Sequence, residues 1–250
     1  MITKKTFKYT TLARCLAVLL CVIAVSLAFL SLGVHGNASM AEFRQLHKAI
    51  ADGRLADVQA LIEKNPRLLA ARQGNPFFGD RASFDKPPLL IAAEYGRPEI
   101  VEFLLSRNEN PNERGDKFTA LHLAAQNGNI SVARLLVHFG ADINAKGAKD
   151  YCSPICIAAA NGKSEMVKFL VEEGADVNQA DRVGLNATYY AAANDQLDIL
   201  EYLMEHGANL CGGDDLLYST RGVARTRGHV RIVEFLDKIS TSTSVRSKTK

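Results

Sequence analysis

The sequence predicts an all-α solenoid of stacked helix-turn-helix units, and three observations predict it. A ten-residue phrase recurs five times: PPLLIAAEYG from Pro87, TALHLAAQNG from Thr119, SPICIAAANG from Ser153, NATYYAAAND from Asn186 and STRGVARTRG from Ser219, with start-to-start steps of 32, 34, 33 and 33 residues. A second apolar pattern with helical spacing follows each copy. A Gly-Ala-Asp turn then closes the middle copies at Gly140-Ala141-Asp142 and Gly174-Ala175-Asp176. A fixed period in this range marks a solenoid, because one such unit cannot bury its apolar face alone.

The unit from Thr119 to Asn144 shows how each element arises. Thr119 is a suitable N-cap, since its hydroxyl can accept a backbone N–H in the first turn. Leu121, Ala124 and Ala125 give a small apolar inner face that lets neighbouring helices pack closely. Gly128 closes this first helix, because glycine tolerates the left-handed conformation that follows a C-terminus. The second helix presents Val132, Leu135 and Leu136 to the interior. Its counterparts are Ile100, Phe103 and Leu104, then Met166, Phe169 and Leu170, then Ile199, Tyr202 and Leu203, and finally Ile232, Phe235 and Leu236. Gly140-Ala141-Asp142-Ile143-Asn144 ends the unit and turns the chain outwards, as do Gly174 to Asn178 and, modified, Gly207 to Cys211.

These starts, Ala-Ala pairs, mid-unit glycines and closing turns together resemble the ankyrin repeat family over roughly residues 40–238. The resemblance implies helix pairs with projecting β-turn fingers and a protein partner. It implies no cofactor and no catalytic or metal-binding residues. Six repeats are expected, starting near 43, 87, 119, 153, 186 and 219. The first, with Leu46, His47, Ala49 and Ile50, and the last, with Arg221, Arg225 and Arg227, carry the polar character that end caps need for solubility. Ten or so extra residues separate His47 from its match at Leu90, so an insertion lies within residues 65–86, with Phe77, Phe78 and Phe84 in it. Insertions in repeat proteins map to loops on one face, often the binding face. The alternative is that these aromatics cover the edge of the first two repeats.

Upstream, residues 1–38 read as a membrane signal: Lys4, Lys5, Lys8 and Arg14 precede an uncharged, apolar run from Cys15 to Val34. Twenty such residues at about 1.5 Å each span a bilayer core of about 30 Å. The pattern fits an uncleaved single-pass inner-membrane anchor with a periplasmic domain. Gly36 and Ala38 also fit the −3 and −1 positions of a signal-peptide cut that would leave the domain free in the periplasm. Either way the basic end stays cytoplasmic and the repeats are exported. Residues 239–250, rich in Ser, Thr and Lys, are expected to form a disordered tail.

Composition narrows the function. Beyond the basic flank the chain holds 26 Lys and Arg against 27 Asp and Glu, a near-neutral body that argues against nucleic-acid binding. No His pair has metal-ligand spacing, and no phosphate-cradling glycine motif or nucleophile elbow is present. His122 and His47 sit where the family resemblance implies a structural hydrogen bond between turns. Three cysteines follow the apolar run: Cys152, Cys156 and Cys211. An odd count leaves at least one outside any intrachain disulfide.

The reading is a non-enzymatic, monomeric binding module whose concave face and fingers dock another protein. Phe118, Tyr151, Leu185 and Tyr218 precede the repeat starts on the projecting turns. Glu94, Tyr95, Gln126, Asn127, Asn161 and Asn194 follow the Ala pairs on the concave side. Phe77 and Phe78 of the insertion are further candidates. Two other readings stand beside this one: an immunity or inhibitor-type protein that neutralises a toxin or enzyme outside the cytoplasm, and a redox-linked accessory factor using Cys152 and Cys156.

Overall fold

The computed structural model describes residues 40–69, 86–147, 152–211 and 218–247. Within them six helix pairs follow one another: α1 Met40–Ala51 and α2 Leu55–Lys64, α3 Pro88–Glu94 and α4 Pro98–Ser106, α5 Ala120–Asn127 and α6 Ile130–His138. Then come α7 Pro154–Ala160 and α8 Ser164–Glu172, α9 Ala187–Ala193 and α10 Leu197–Glu205, α11 Thr220–Arg227 and α12 Val230–Ser247. No strand occurs among the described residues beyond one isolated bridge between Arg114 and Thr119. The all-α stack of helix-turn-helix units is thus as the sequence indicates.

The first helix of each pair lies against the first helices of its neighbours, and the second helices form a parallel outer row. Ala92 and Ala93, Ala124 and Ala125, Ala158 and Ala159, and Ala191 and Ala192 are almost entirely buried in the inner row. With only a methyl group at each position, the inner helices come close, and contacts along their row are denser than along the outer one. The stack therefore closes on the first-helix side, which is the concave one. The core runs continuously from Phe43 to Leu236.

In the outer row the buried face differs by one position from the expected one. Val132 and Leu136 are sealed, but so is Ala133, whereas Leu135 is half-buried. Phe103, Tyr202 and Phe235 are half-buried in the same way, while Val101, Val167 and Leu200 are fully buried. In the fourth repeat the residue at the Leu135 position, Phe169, is buried and lies under the Arg134 guanidinium of the preceding repeat at 5.1 Å.

The outer helices of the four middle repeats end in the same way. Gly140 (φ 86°), Gly174 (φ 90°) and Gly207 (φ 82°) adopt left-handed conformations. The following amide donates back into the helix, as Ala141 N–H to Leu136 O at 2.8 Å, which is the Schellman arrangement. In the second repeat Asn108 (φ 63°) takes the glycine's place, a residue that tolerates this conformation.

The fingers are joined by asparagines. Asn112 Nδ2 donates to Gly140 O at 3.0 Å and its Oδ1 accepts from Asp142 N–H at 2.7 Å. Asn144 Oδ1 accepts from Asp176 N–H at 2.9 Å. Asn178 bonds Gly207 O at 3.1 Å and Asn209 N–H at 2.7 Å. A second strap follows the mid-repeat turns: Arg97 donates to Ala51 O at 2.6 Å, Asn129 to Ala93 O at 3.4 Å and Arg227 to Ala193 O at 2.7 Å. Gly162 (φ 64°) lies under the Gln196 side chain so closely that a Cβ there would sit 2.7 Å from its Oε1.

Two sequence expectations change at the ends. Asn65 to Leu69, assigned to the insertion, continue the first cap: Pro66–Leu68 form a 3-10 turn and Leu68 is fully buried. Phe77, Phe78 and Phe84 lie outside the described residues, as do residues 1–39. At the other end α12 runs through Ser247, where the expectation was a disordered tail from 239. No Gly or Pro follows Gly228 to stop it, so the terminal helix extends beyond its packed segment.

Truncation at the sealed Leu136 is expected to cost about 2–5 kcal/mol as Leu136→Ala. Leu135→Ala should cost less, and Gln126→Ala on the concave face under about 0.5 kcal/mol. Urea unfolding of the three variants checks this order; a Leu135→Ala loss as large as that of Leu136→Ala would reverse the assignment of the outer face.

Candidate functional site

The concave face is positioned by the starts of the inner helices. In the third repeat, Thr119 and His122 lock that start: Thr119 N–H donates to His122 Nδ1 at 3.3 Å, and the Thr119 hydroxyl lies 2.8 Å from the same nitrogen. The imidazole also stacks on Phe118, with ring centroids 5.5 Å apart. The residue before the N-cap and the third helical residue therefore touch. Asn186 performs the capping in the fifth repeat, accepting from Thr188 N–H at 3.1 Å, and Ser219 does so in the sixth, accepting from Gly222 N–H at 2.8 Å.

This pairing explains where the predicted finger residues lie. Phe118 is half-buried and packs on the core as well as on His122. Leu185 is a correction: it is only 7% exposed and offers no docking surface. Asp181 N–H donates to Leu185 O at 2.9 Å and Leu185 N–H to Asp181 Oδ1 at 3.0 Å, so the turn closes and carries the side chain inwards. Tyr218 is 62% exposed because the third helical residue of its repeat is Gly222, which has no side chain to meet it. Tyr151 lies outside the described residues, as do Phe77 and Phe78.

The concave residues are on the surface. Tyr95 caps the end of α3 and is 54% exposed. Gln126, Asn127, Asn161 and Asn194 are exposed and Glu94 is half-exposed. Some of these side chains also serve the stack: Asn127 Nδ2 donates to Glu94 O at 2.8 Å, and Asn161 Nδ2 to Ile157 O at 2.8 Å. Between α3 and α5 lies an open groove of about 250 Å³, with Leu90, Phe118 and Leu123 as its apolar floor and Lys86, Glu94, Asp116, Lys117 and Gln126 around it. Lys86 Nζ and Glu94 Oε2 pair across one edge at 2.8 Å. Gly115 opens the floor, since a Cβ there would sit 2.8 Å from Leu90 Cδ2.

Sequence reasoning missed two groups. Tyr190, on the concave row, donates its hydroxyl to Asp181 Oδ2 at 2.7 Å. Val183 (64%) and Leu210 (37%) are exposed apolar side chains on the later fingers. Aligning the repeats in columns flags Tyr190, since an aromatic stands where Leu123 and Ile157 stand in earlier repeats.

The titratable groups behave as structural ones. Burial lowers His122 to about 4, despite the Cys152 carbonyl that favours its charged form. Its Nε2 faces the next finger without a hydrogen bond of full geometry among the described residues. His47 is lowered by burial too, opposed by the Lys86 backbone. Cys211 is raised by burial and bonds Asn186 Oδ1 at 2.9 Å. Among the described residues no group of three or more His, Cys, Asp or Glu is placed to hold a metal ion.

Comparison with known proteins agrees with this architecture. A family description of ankyrin repeats matches residues 46–147 and 145–214. Alpha-latroinsectotoxin-Lt1a of Latrodectus tredecimguttatus is 50% identical over 66 residues, 26% of this chain and 5% of its own length. A probable E3 ubiquitin-protein ligase of Oryza sativa subsp. japonica is 38% identical over 119 residues, 47% of this chain and 22% of its own. A putative ankyrin repeat-containing protein of Treponema pallidum (strain Nichols) is 41% identical over 64 residues, 25% of this chain and 22% of its own. The chain spans less than a quarter of the length of these relatives.

His122 makes stability depend on pH. Its folded value of about 4 lies below the ordinary histidine value of about 6.5, so between these values the unfolded chain binds more protons. Unfolding free energy is therefore expected to fall as pH drops through this window, by up to about 3 kcal/mol from this residue. Urea unfolding at pH 7.5 and pH 4.5 should show a smaller loss for His122→Gln than for the wild type; equal losses would place the ring in water.

Proposed function

This chain belongs to the ankyrin-repeat family, and on that footing we propose a non-enzymatic module that docks another protein in its concave groove, held at or carried across a membrane by its N-terminal segment. Ankyrin repeats in general serve as scaffolds for protein–protein contact, and no activity of the longer relatives is carried over to this shorter chain.

The observation that carries the docking site is the groove between α3 and α5. Its apolar floor, ringed by charged and amide groups, has the makeup of a site that takes one side chain of a partner, and the exposed Tyr95 follows its rim residue Glu94 in the chain. Binding energy at such surfaces concentrates in a few large residues. Tyr95 is the best placed of them, because Phe118 is already engaged with His122 and Leu185 is buried. The Lys86–Glu94 pair is part-exposed and contributes little to affinity by itself.

For the membrane the support is in the sequence: four cations before an uncharged apolar run of twenty residues, with no matching cluster directly after it. Among the described residues no helix is long and apolar enough to cross a membrane. The polarity of the charges favours export of the repeats.

A photo-crosslinking side chain at Tyr95 or Gln126 is expected to yield a discrete protein adduct in intact membranes, and one at Glu102 on the outer row none. Tyr95→Ala should weaken capture of the crosslinked protein at least about tenfold, or about 1.4 kcal/mol. Adducts from Glu102 alone would move the site to the convex side. Protease added to inverted inner-membrane vesicles, whose cytoplasmic face is outside, should spare residues 40–247, and digestion there would overturn the export reading.

A further inference from the structure

We propose that Cys152 and Cys156 are a thiol pair that closes reversibly to a disulfide across the start of α7, with a low-molecular-weight disulfide as oxidant and Cys152 as the attacking sulfur. This goes beyond the docking reading and does not depend on it. Cys152 directly precedes the N-cap Ser153, and Cys156 is the third residue of α7. These are the positions of Phe118 and His122 one repeat earlier, whose side chains stack with centroids 5.5 Å apart. There the third helical side chain folds back to within 3.3 Å of the N-cap amide. The backbone of this repeat thus brings the two cysteine positions together.

The two sulfurs have different surroundings, and the difference assigns their roles. Cys152 is half-buried, so a small oxidant reaches it; Cys156 is fully buried. The neighbouring Cys156 thiol lowers the Cys152 thiol more than burial raises it. Asp181 opposes this through its charge, and its carboxylate is held by Tyr190 at 2.7 Å. Cys156 is raised, first by its neighbour Cys152 and then by burial. It receives a hydrogen bond from the Ser153 hydroxyl at 3.5 Å and donates to Gln179 O at 3.7 Å. Reactivity follows the thiolate and its access to solvent. Cys211 stands apart, engaged with Asn186 and the Gly184 carbonyl.

The Cys152 thiolate attacks one sulfur of the oxidant, forms a mixed disulfide and expels one thiolate. Cys156 then gives its proton to solvent and attacks the Cys152 sulfur, expelling the second thiolate. The protein loses two hydrogens and the oxidant becomes two thiols. Because Cys156 gives up its proton, its bond to Gln179 O is lost, and with it a join between the fourth repeat and the finger that follows. Oxidation is thereby sensed at a repeat junction.

The full-length chain in detergent is treated with oxidised glutathione, alkylated and digested with trypsin, which leaves both cysteines in peptide 150–163. The expected product is that peptide unalkylated and lighter by two hydrogens, while Cys211 is alkylated once the chain is unfolded. Cys156→Ser should stop at a glutathione adduct on Cys152, and Cys152→Ser should leave Cys156 a thiol. A wild-type product that stays at the Cys152 adduct, or two free thiols in every variant, would overturn the proposal. Faster amide exchange around Gln179 in the oxidised form would confirm the opened junction; unchanged exchange there would remove the sensing role.

Discussion

Each helix pair in this stack has no core of its own and can be stable only when a neighbour covers it. The Ala-Ala pairs make that cover possible, because methyl groups let the inner helices approach until nothing but backbone and small side chains lies between them. Larger residues there would hold the rows apart and expose the leucines and isoleucines of the outer row. Those residues, such as Ile100, Leu104, Leu136 and Leu170, are fully buried, at about 1.5–3 kcal/mol for each such aliphatic side chain. Because these contacts run only between adjacent pairs, cohesion is a chain of junctions rather than a single centre.

The polar joins have a different task. A hydrogen bond on an exposed finger contributes about 1 kcal/mol net, less than one buried leucine. What Asn112, Asn144 and Asn178 supply is register: each reads the backbone of the next finger at a fixed offset. The straps from Arg97, Asn129 and Arg227 to the preceding inner helix do the same at the opposite end of the turn. Apolar packing alone would tolerate sliding between pairs; two rows of directional bonds do not.

The same repeat geometry generates the differences that function uses. One column pair, the residue before the N-cap and the third residue of the inner helix, holds Phe118 with His122, Cys152 with Cys156, Leu185 with Tyr189, and Tyr218 with Gly222. The shared backbone keeps each pair adjacent, and the identity of the side chains decides whether the site is a stacked plug, a thiol pair, a buried turn or an exposed tyrosine. Gly115 and Leu90 add a depression beside the first of these. The groove is thus a local variation on a repeated frame.

The period, the Ala-Ala pairs and the closing glycines were legible because they are local requirements: a helix end needs its left-handed residue and an inner helix its small face wherever it lies. That determined the fold class, the six units and the exposure of Tyr95, Gln126, Asn127 and Asn161. The sequence did not tell Leu135 from Ala133 as the sealed residue, since helical spacing allows either until the position of the partner helix is known. Nor did it show that Leu185 turns inward, which depends on the bonds that Asp181 makes across its turn. Asn144 was visible as part of a turn, but its acceptor role exists only once Asp176 is brought beside it from 32 residues away. The groove, the half-buried Phe118 and the bond from Tyr190 to Asp181 were likewise decided by tertiary structure. Each joins residues from separate repeats or turns, and one-dimensional spacing carries no information about which side chain arrives at the junction first.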